Sequence, residues 1–516
     1  MFPAAFHYFR NICLLIFILS SLSLAQDSTQ SLAFKNKNIF ERRNFFYQPD
    51  PSYQLWQQFH LIQAANSGDP FAEHELGIRY LLGEGIAADT VKGAYWIRKA
   101  ADKELTAAQF NYGILLLNGW GVDWNPFEAF KYFRFAAIGG MPAAEHILGI
   151  FYTDDLVVKA NWAEAYYWIK KSSDAGFEPA KEIIPEILKK YTPQDSTEYI
   201  PSTLSETDLA DKKIDNDISS NLGLVFINFE TTNDTTVNVT NEMLLEDLTS
   251  SLPDALRDSL NFSDSTLNFD RDQIAYLLKS SEFGNPEAMV ILGRLYESGI
   301  HYPKNLIAAA AYYIRAARLD SPKGLYLLWQ LSTNKNLLKL VQLRSDKQDA
   351  EAMYVWYALS SLGFDQSIAI QDAINLLTKS ADRNYFPALV ELGLITYTGK
   401  YSDESKQEGI TIWHKAKSLG NKEAEVRLIA AVVFDDISIS ADNLLNDLNT
   451  LNDEGSILAQ VTLAYCYQTG KFVKQNIAEA VKLYRYAAHR GNRFAYDQLK
   501  NIYNNLRPSE NIFQIN

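Results

Sequence analysis

The sequence repeats itself with a period of 36 residues. The nonapeptide AEHELGIRY begins at Ala72, AQFNYGILL begins at Ala108, and AEHILGIFY begins at Ala144. In the second half of the chain the equivalent segments begin at Ala288, Gly324, Ala352, Ala388, Ala424, Ala459 and Ala495, with separations of 36, 28, 36, 36, 35 and 36 residues. A fixed period of this length predicts a repeat architecture, in which each unit packs on its neighbours.

Each unit has the pattern of two helices. Asp69-Pro70 supplies a capping side chain and a proline for the first helical position. Ala72, Leu76 and Tyr80 then recur every four residues, which places them on one face of a helix. The starts Met141-Pro142 and Asn285-Pro286 are similar. We therefore predict an all-α chain, an α/α superhelical solenoid of two-helix repeats.

Glycines mark the inside and the end of the first helix in each unit. Glycine is the sixth residue of five of these nine-residue segments, at Gly77, Gly113, Gly149, Gly293 and Gly393. Because a glycine inside a helix costs roughly 1 kcal/mol relative to alanine, its recurrence predicts a close approach of two helices. Gly83 and Gly119 each open a Gly-x-Gly loop, which predicts a left-handed end to the first helix.

The repeat consensus resembles the Sel-one-like repeat, a relative of the tetratricopeptide repeat. The resemblance lies in the pattern Ala72-x3-Leu76-Gly77-x2-Tyr80-x2-Gly83-x-Gly85, followed by Asp89-x2-Lys92, Ala94-Tyr95-Trp96 and Lys99-Ala100-Ala101. It covers two blocks, residues 52–191 and 272–503, and the unit at Gly324 has lost its Gly-x-Gly loop. The resemblance implies an adaptor that holds protein partners together. Because the repeat family includes quality-control adaptors of the endoplasmic reticulum, such a role is a further alternative.

The two blocks are separated by an acidic insertion, residues 192–271. Residues 192–272 contain 17 acidic and 4 basic residues, which accounts for nearly all of the chain's net charge of −14. This composition predicts a mostly disordered loop on the rim of the solenoid. A second reading stays open: Ala180 and Ala288 lie three periods apart, so the insertion could hold two eroded repeats.

The N-terminus has the features of a secretory signal peptide, residues 1–25. Arg10 precedes an apolar run over 12–24, which is too short to span a membrane comfortably. Ser23 and Ala25 supply small residues at the two positions that a signal peptidase recognises. We expect a linker over 26–51, a C-terminal tail over 504–516 and no membrane span after signal removal. The predicted location is the periplasm or the extracellular space, or the endoplasmic reticulum lumen in a eukaryote. The negative charge argues against nucleic acid as a partner.

His74-Glu75 matches half of the zinc-protease motif H-E-x-x-H. The position of the second histidine holds Ile78, which cannot bind zinc, and His146 lies two repeats away. We therefore predict no metal site and no cofactor. Ser332-x-x-Lys335 matches a serine acylase motif, but its companion motifs are missing. This motif leaves an alternative function open, a cell-envelope enzyme or a protein that interacts with penicillin or peptidoglycan.

The functional prediction is a non-catalytic scaffold that binds a protein or peptide partner in a concave groove. In the first helices, the sequence varies most at the positions just after the residue that begins each nine-residue segment. These positions are predicted to line the groove. The candidate groove residues are Glu73, His74, Glu75, Phe110, Asn111, His146 and Tyr354. Trp120 and Trp124 flank the loop of the second unit, and we expect both to be exposed anchors for a partner.

Overall fold

The computed structural model describes residues 51–83, 85–193, 269–399, 406–435 and 443–515, with the backbone alone at 51–58 and 335. The predicted signal peptide, nearly all of the linker after it and nearly all of the acidic insertion lie outside the described residues. The described chain forms two compact units. Of the described residues, unit 1 contains those between 51 and 193 and those between 503 and 515, and unit 2 contains those between 269 and 502.

All regular secondary structure in the described ranges is helical. The helices of the first repeat block are α1 (Pro51–Asn66), α2 (Pro70–Leu82), α3 (Thr90–Ala101), α4 (Thr106–Asn118), α5 (Pro126–Ile138), α6 (Pro142–Phe151), α7 (Trp162–Asp174) and α8 (Glu178–Lys190). The next helices are α9 (Arg271–Glu282), α10 (Pro286–Ser298), α11 (Leu306–Arg318), α12 (Pro322–Ser332), α13 (Lys335–Asp346), α14 (Ala350–Ser361) and α15 (Ile370–Asp382). The last are α16 (Phe386–Thr398), α17 (Lys406–Ser418), α18 (Lys422–Asp435), α19 (Leu444–Asp453), α20 (Ile457–Thr469), α21 (Ile477–His489) and α22 (Arg493–Leu506), followed by a 3-10 turn at Asn511–Phe513.

The helices begin and end at the residues that the sequence indicates. The Asp69 carboxylate accepts a hydrogen bond from the Phe71 amide at 3.1 Å, and Pro70 is the first residue of α2. The Asn285 side chain accepts hydrogen bonds from two amides at the start of α10. Gly83 and Gly119 end α2 and α4 with φ angles of 73° and 65°, which are left-handed. These contacts confirm the predicted start and end of the first helix in these units.

The glycines inside the first helices lie against side chains of the second helices. A Cβ atom on Gly77 would lie 2.6 Å from Ile97 Cγ1, which is closer than real Cβ atoms approach. The equivalent distances are 2.9 Å for Gly113 to Phe133, 2.5 Å for Gly149 to Ile169, 2.4 Å for Gly293 to Tyr313 and 2.4 Å for Gly393 to Trp413. The predicted close approach is therefore confirmed, and each glycine makes room for one large side chain of the core.

The unit at Gly324 is shorter because its two helices are almost continuous in the chain. Only Thr333 and Asn334 separate α12 from α13, and the Asn334 side chain accepts a hydrogen bond from the Asn336 amide. This connection replaces the longer Gly-x-Gly loop, which accounts for the 28-residue spacing. Across the described residues, no helix is both long and apolar enough to cross a membrane.

Candidate functional site

Six of the seven predicted groove residues are buried, so the interpretation that they face solvent is wrong. The fully covered side chains are Glu73, His74, Phe110, Asn111, His146 and Tyr354, all at most 4% exposed. The physical reason is that these positions pack inside the solenoid, either on their own repeat, as Phe110 does on Phe133, or on the next repeat, as His74 does on Asn111. Glu75 alone is partly exposed, and its carboxylate pairs with Arg79 at 2.8 Å. Whether a partner binds along these helices stays a prediction.

Glu73 shows how such a position is used inside unit 1. Its carboxylate is completely buried, yet it accepts hydrogen bonds from Lys103 Nζ at 2.8 Å and lies 3.0 Å from Lys99 Nζ. Lys103 also donates to the Gly68 carbonyl at 2.7 Å. Two repeats later, Glu145 occupies the same position and pairs with Lys171 at 2.8 Å. A buried carboxylate needs such partners, so these residues join α2 and α6 to the segments that follow them.

His74 is a structural residue in a neutral state. The Asn111 side-chain amide lies 2.9 Å from Nε2 and donates to it, which leaves the ring proton on Nδ1. Burial lowers the pKa of His74 to about 4, because the charged ring would lose its solvation. In the described residues no group of three or more His, Cys, Asp or Glu side chains is arranged to hold a metal ion.

His146 has the same place in its repeat but a different environment. Its ring is 2% exposed and packs beside Phe177, with 5.4 Å between the ring centroids. Both ring nitrogens are buried without a hydrogen-bond partner among the described residues. Burial lowers the pKa of His146 to about 4 as well. An imidazole enclosed in this way is held neutral at physiological pH.

The two predicted tryptophan anchors differ in exposure. Trp120 is 43% exposed in the loop after α4, as a partner anchor requires. Trp124 is only 9% exposed, so the prediction that it is accessible is wrong. Its ring lies edge-on to Tyr503, with 5.3 Å between centroids, because the C-terminal segment of the chain packs on this part of unit 1. Sequence period alone gives no sign of that contact.

The interior of unit 2 contains ion pairs between residues far apart in the sequence. Arg490, which follows α21, donates to both carboxylate oxygens of Glu287 on α10 at 2.8 and 2.6 Å. Arg490 also donates to the Gly455 carbonyl at 2.7 Å and to the Gln460 side chain at 3.2 Å. Both members of the ion pair are 7% exposed. The first and last complete repeats of unit 2 are therefore in direct contact.

A second polar cluster lies beside a cavity in unit 2. Arg318 pairs with Glu391 at 3.0 Å and donates to the Ser361 hydroxyl at 2.7 Å. The Tyr357 hydroxyl donates to Glu391 at 3.1 Å. These residues border a cavity of about 390 Å³, whose other lining residues are Leu394, Ile395 and Thr398. The guanidinium and the two hydroxyl groups are bonded within this cluster, and they form the polar side of the cavity.

The serine of the acylase-like motif is engaged in the end of its helix. The Ser332 hydroxyl donates to the Trp329 carbonyl at 2.7 Å, a local contact that satisfies the last turn of α12. Lys335 begins α13, and its side chain is not among those described. No contact of Ser332 in the described residues links it to a general base.

The surface that the sequence analysis missed is an exposed face of α12. Leu325, Tyr326 and Trp329 are 46%, 39% and 54% exposed, and they lie within one turn of each other along the helix. The rings of Tyr326 and Trp329 are 6.0 Å apart, and Gln330 donates to the Tyr326 hydroxyl at 2.7 Å. The spacing of these residues was available in the sequence. The unit at Gly324 departs from the repeat consensus, so the consensus positions did not identify this exposed face.

The Sel1 repeat family matches residues 70–105, 106–141, 142–177, 286–321 and 457–492. No curated protein matches the chain. A protective antigen of uropathogenic Escherichia coli strains, described as displaying an SLR fold, is 19% identical over 87% of this chain and 82% of its own, with a TM-score of 0.30. A Sel1 repeat protein from Oxalobacter formigenes is 32% identical over 25% of this chain and 98% of its own, with a TM-score of 0.24.

At these TM-scores the superpositions support no conclusion about how the repeats are arranged. The family matches are independent of them, and they begin at the same residues as the helices α2, α4, α6, α10 and α20. Five matched repeats in the phase of the 36-residue period establish that this chain is a Sel1-repeat protein.

Proposed function

We propose that this protein is an exported, non-catalytic adaptor that binds a segment of a protein partner. Sel1 repeats form a scaffold that suits protein–protein interaction, because stacked helix pairs present a long, rigid surface. The observation that carries the proposal is the exposed aromatic face of α12, formed by Leu325, Tyr326 and Trp329. Tryptophan and tyrosine are the residues that most often dominate the binding energy of protein interfaces.

The α12 face has the composition of a partner anchor. Trp329 and Tyr326 present apolar area at a small cost in side-chain entropy, and the Lys323 ammonium group lies 5.9 Å from the Tyr326 ring centroid. Neighbouring Leu325 adds aliphatic surface. Among the residues predicted from the sequence, Glu75 and Trp120 remain accessible and would add contacts on unit 1.

Cross-linking at residue 329 would test the proposal. A photo-reactive phenylalanine in place of Trp329 should cross-link to a partner in native extract, whereas the same residue in place of Val91 should not. Val91 is 65% exposed and lies outside the α12 face, so it is a matched control. The Trp329→Ala variant should lose the partner in affinity capture. Equal capture by wild type and Trp329→Ala, with no cross-link specific to residue 329, would reject this face as the anchor.

Catalysis and location have separate tests. Fluorescent penicillin should not label the protein covalently, and labelling that disappears in Ser332→Ala would overturn the non-catalytic proposal. For export, the mature chain recovered from the extracytoplasmic fraction should begin at Gln26 when its N-terminus is determined. Recovery of an intact N-terminus from the cytoplasmic fraction alone would reject export.

A further inference from the structure

The C-terminal peptide, residues 507–515, is packed on helix α5 and on the loop after α6 in unit 1. Phe513 is completely buried there, and its ring lies edge-on to Phe127 and Phe130 with centroid distances of 5.2 and 5.8 Å. Both phenylalanines belong to α5, the second helix of its repeat. An aromatic pocket on unit 1 is thus filled by a side chain from the last residues of the chain.

Arg507 fixes the other end of this peptide. Its guanidinium donates to the Leu156 carbonyl at 2.7 Å and to the Val157 carbonyl at 3.2 Å, and it lies 5.3 Å from the Phe127 ring centroid. It also donates to the Phe513 carbonyl at 2.7 Å, which holds the peptide in a compact turn.

The loop after α6 is built to present those carbonyl groups. This repeat lacks the Gly-x-Gly loop, and Asp154 and Asp155 instead accept hydrogen bonds from the Leu156 and Ala160 amides at 2.9 Å each. The side chains of Leu156 and Val157 are buried, so their backbone is fixed in place. The carbonyl oxygens are therefore free to accept from a cation outside the repeat.

The centre of the peptide contributes charge and leaves space. Glu510 accepts a hydrogen bond from Lys131 at 2.6 Å on the same helix that carries the aromatic pocket. Pro508 borders a cavity of about 300 Å³, which is otherwise lined by Asn125, Phe127, Glu128, Lys131, Tyr132 and Phe135. A related peptide with a larger side chain next to the proline could fill this cavity.

We propose that this face of unit 1 is a binding site for short peptides of the form Arg-Pro-x-Glu-x-x-Phe, and that the chain's own C-terminal peptide occupies it. The occupant is specified by three contacts, the arginine on two carbonyl groups, the glutamate on Lys131 and the phenylalanine in the α5 pocket. A partner peptide must compete with a tethered segment, whose effective concentration is on the order of millimolar. Partner binding at this face is consequently weak until the C-terminal peptide is displaced. This site is separate from the α12 face, so a negative result there leaves this proposal unaffected.

A labelled synthetic peptide would test the site in the full-length protein. A fluorescein-labelled peptide with the sequence of residues 505–516 is titrated with wild type and with Phe513→Ala, and its anisotropy is followed. Phe513→Ala should bind the peptide on the order of 10- to 100-fold more tightly than wild type, because the competing segment is weakened. Ile512→Ala is the matched control, since Ile512 is the adjacent residue and is 36% exposed. It should behave as wild type.

Further variants keep the result clear. A peptide that carries alanine in place of its phenylalanine should bind no variant, and Lys131→Ala added to Phe513→Ala should reduce binding. If Phe513→Ala fails to fold, the Arg507→Ala/Glu510→Ala variant removes two of the three contacts of the segment but keeps Phe513, which fills the aromatic pocket until the added peptide displaces it. Absence of peptide binding to both folded variants overturns the proposal. A change from dimer to monomer in Phe513→Ala, without peptide capture, also overturns it and assigns this face to a second copy of the chain.

Discussion

The two units bury polar side chains in different ways. In unit 1 the buried carboxylates of Glu73 and Glu145 pair with lysines of their own repeats, Lys99 and Lys103 for Glu73 and Lys171 for Glu145. In unit 2 the pair of Glu287 and Arg490 spans 203 residues and joins the first complete repeat to the last. These buried ion pairs of unit 1 therefore lie within single repeats, whereas the buried ion pair of unit 2 joins its first and last complete repeats.

This difference affects how stability is distributed. A repeat array with contacts between neighbours alone has a stability that is approximately a sum of local terms. A contact between the two ends makes the first and last repeats depend on each other. In unit 2 the backbone contributes as well, because the Ile457 amide donates to the Gly284 carbonyl at 3.4 Å. We therefore expect unit 2 to respond to a substitution at one end with a change at the other.

Removal of the Arg490 guanidinium should have the largest effect. Arg490→Met leaves the Glu287 carboxylate buried without its partner, and loss of one member of a buried pair costs about 3–5 kcal/mol. When unfolding in urea is monitored by peptide-resolved hydrogen exchange, the amides of both α10 and α20 should be less protected from exchange than in wild type. The control is Arg493→Met, because Arg493 is exposed three residues further on.

A second substitution separates the ion pair from general damage. Glu287→Leu/Arg490→Met removes both charges, and it should recover much of the stability lost in Arg490→Met. If Arg490→Met lowers protection in α20 and leaves α10 unchanged, the two ends of unit 2 are not coupled, and the contrast with unit 1 is wrong.

The two buried histidines should make unit 1 sensitive to mild acid. The pKa of both rings is lowered to about 4 in the folded state, from an ordinary value of 6.5. As pH falls below about 6.5 the unfolded chain takes up protons that the folded chain does not bind, so stability is lost down to about pH 4. Between pH 7.5 and 5.5 each histidine should cost roughly 1.4 kcal/mol.

The pH measurement compares wild type with His74→Leu/His146→Leu. The change in the free energy of unfolding between pH 7.5 and 5.5, taken from hydrogen exchange in α2–α6, should be about 3 kcal/mol smaller in the variant. Glu145 has a pKa raised by burial, but it is present in both proteins and its contribution cancels. Identical pH dependence in the two proteins would show that the rings are protonated in the folded state.

The sequence was sufficient to predict the fold of a single repeat, but it was not sufficient to predict which side chains are buried between repeats. The period, the caps at Asp69 and Asn285 and the close approach at Gly77 follow from local rules, and each is confirmed. The position of His74 was misjudged, because a residue that varies between repeats can face either solvent or the next repeat. The period does not distinguish these directions.

Contacts between distant segments were also beyond the sequence analysis. The pairing of Arg490 with Glu287 and the burial of Phe513 each bring together residues that lie far apart in the sequence. Such contacts are set by side-chain packing in the folded chain and leave no periodic signal in the sequence. Trp124 was expected to be exposed for this reason, since nothing in its own repeat indicates that Tyr503 covers it.

The smallest expected effects come from replacing each buried histidine alone at neutral pH, and they should have opposite signs. His74→Leu leaves the Asn111 amide buried without its acceptor, which should cost about 1–3 kcal/mol. His146 has no hydrogen-bond partner among the described residues, so His146→Leu removes two unsatisfied nitrogens and should be neutral or stabilising by about 1 kcal/mol. The midpoints of urea unfolding at pH 7.5 decide the outcome. Equal losses in the two variants would mean that His146 also bonds within its repeat, and the same position would then have one role throughout unit 1.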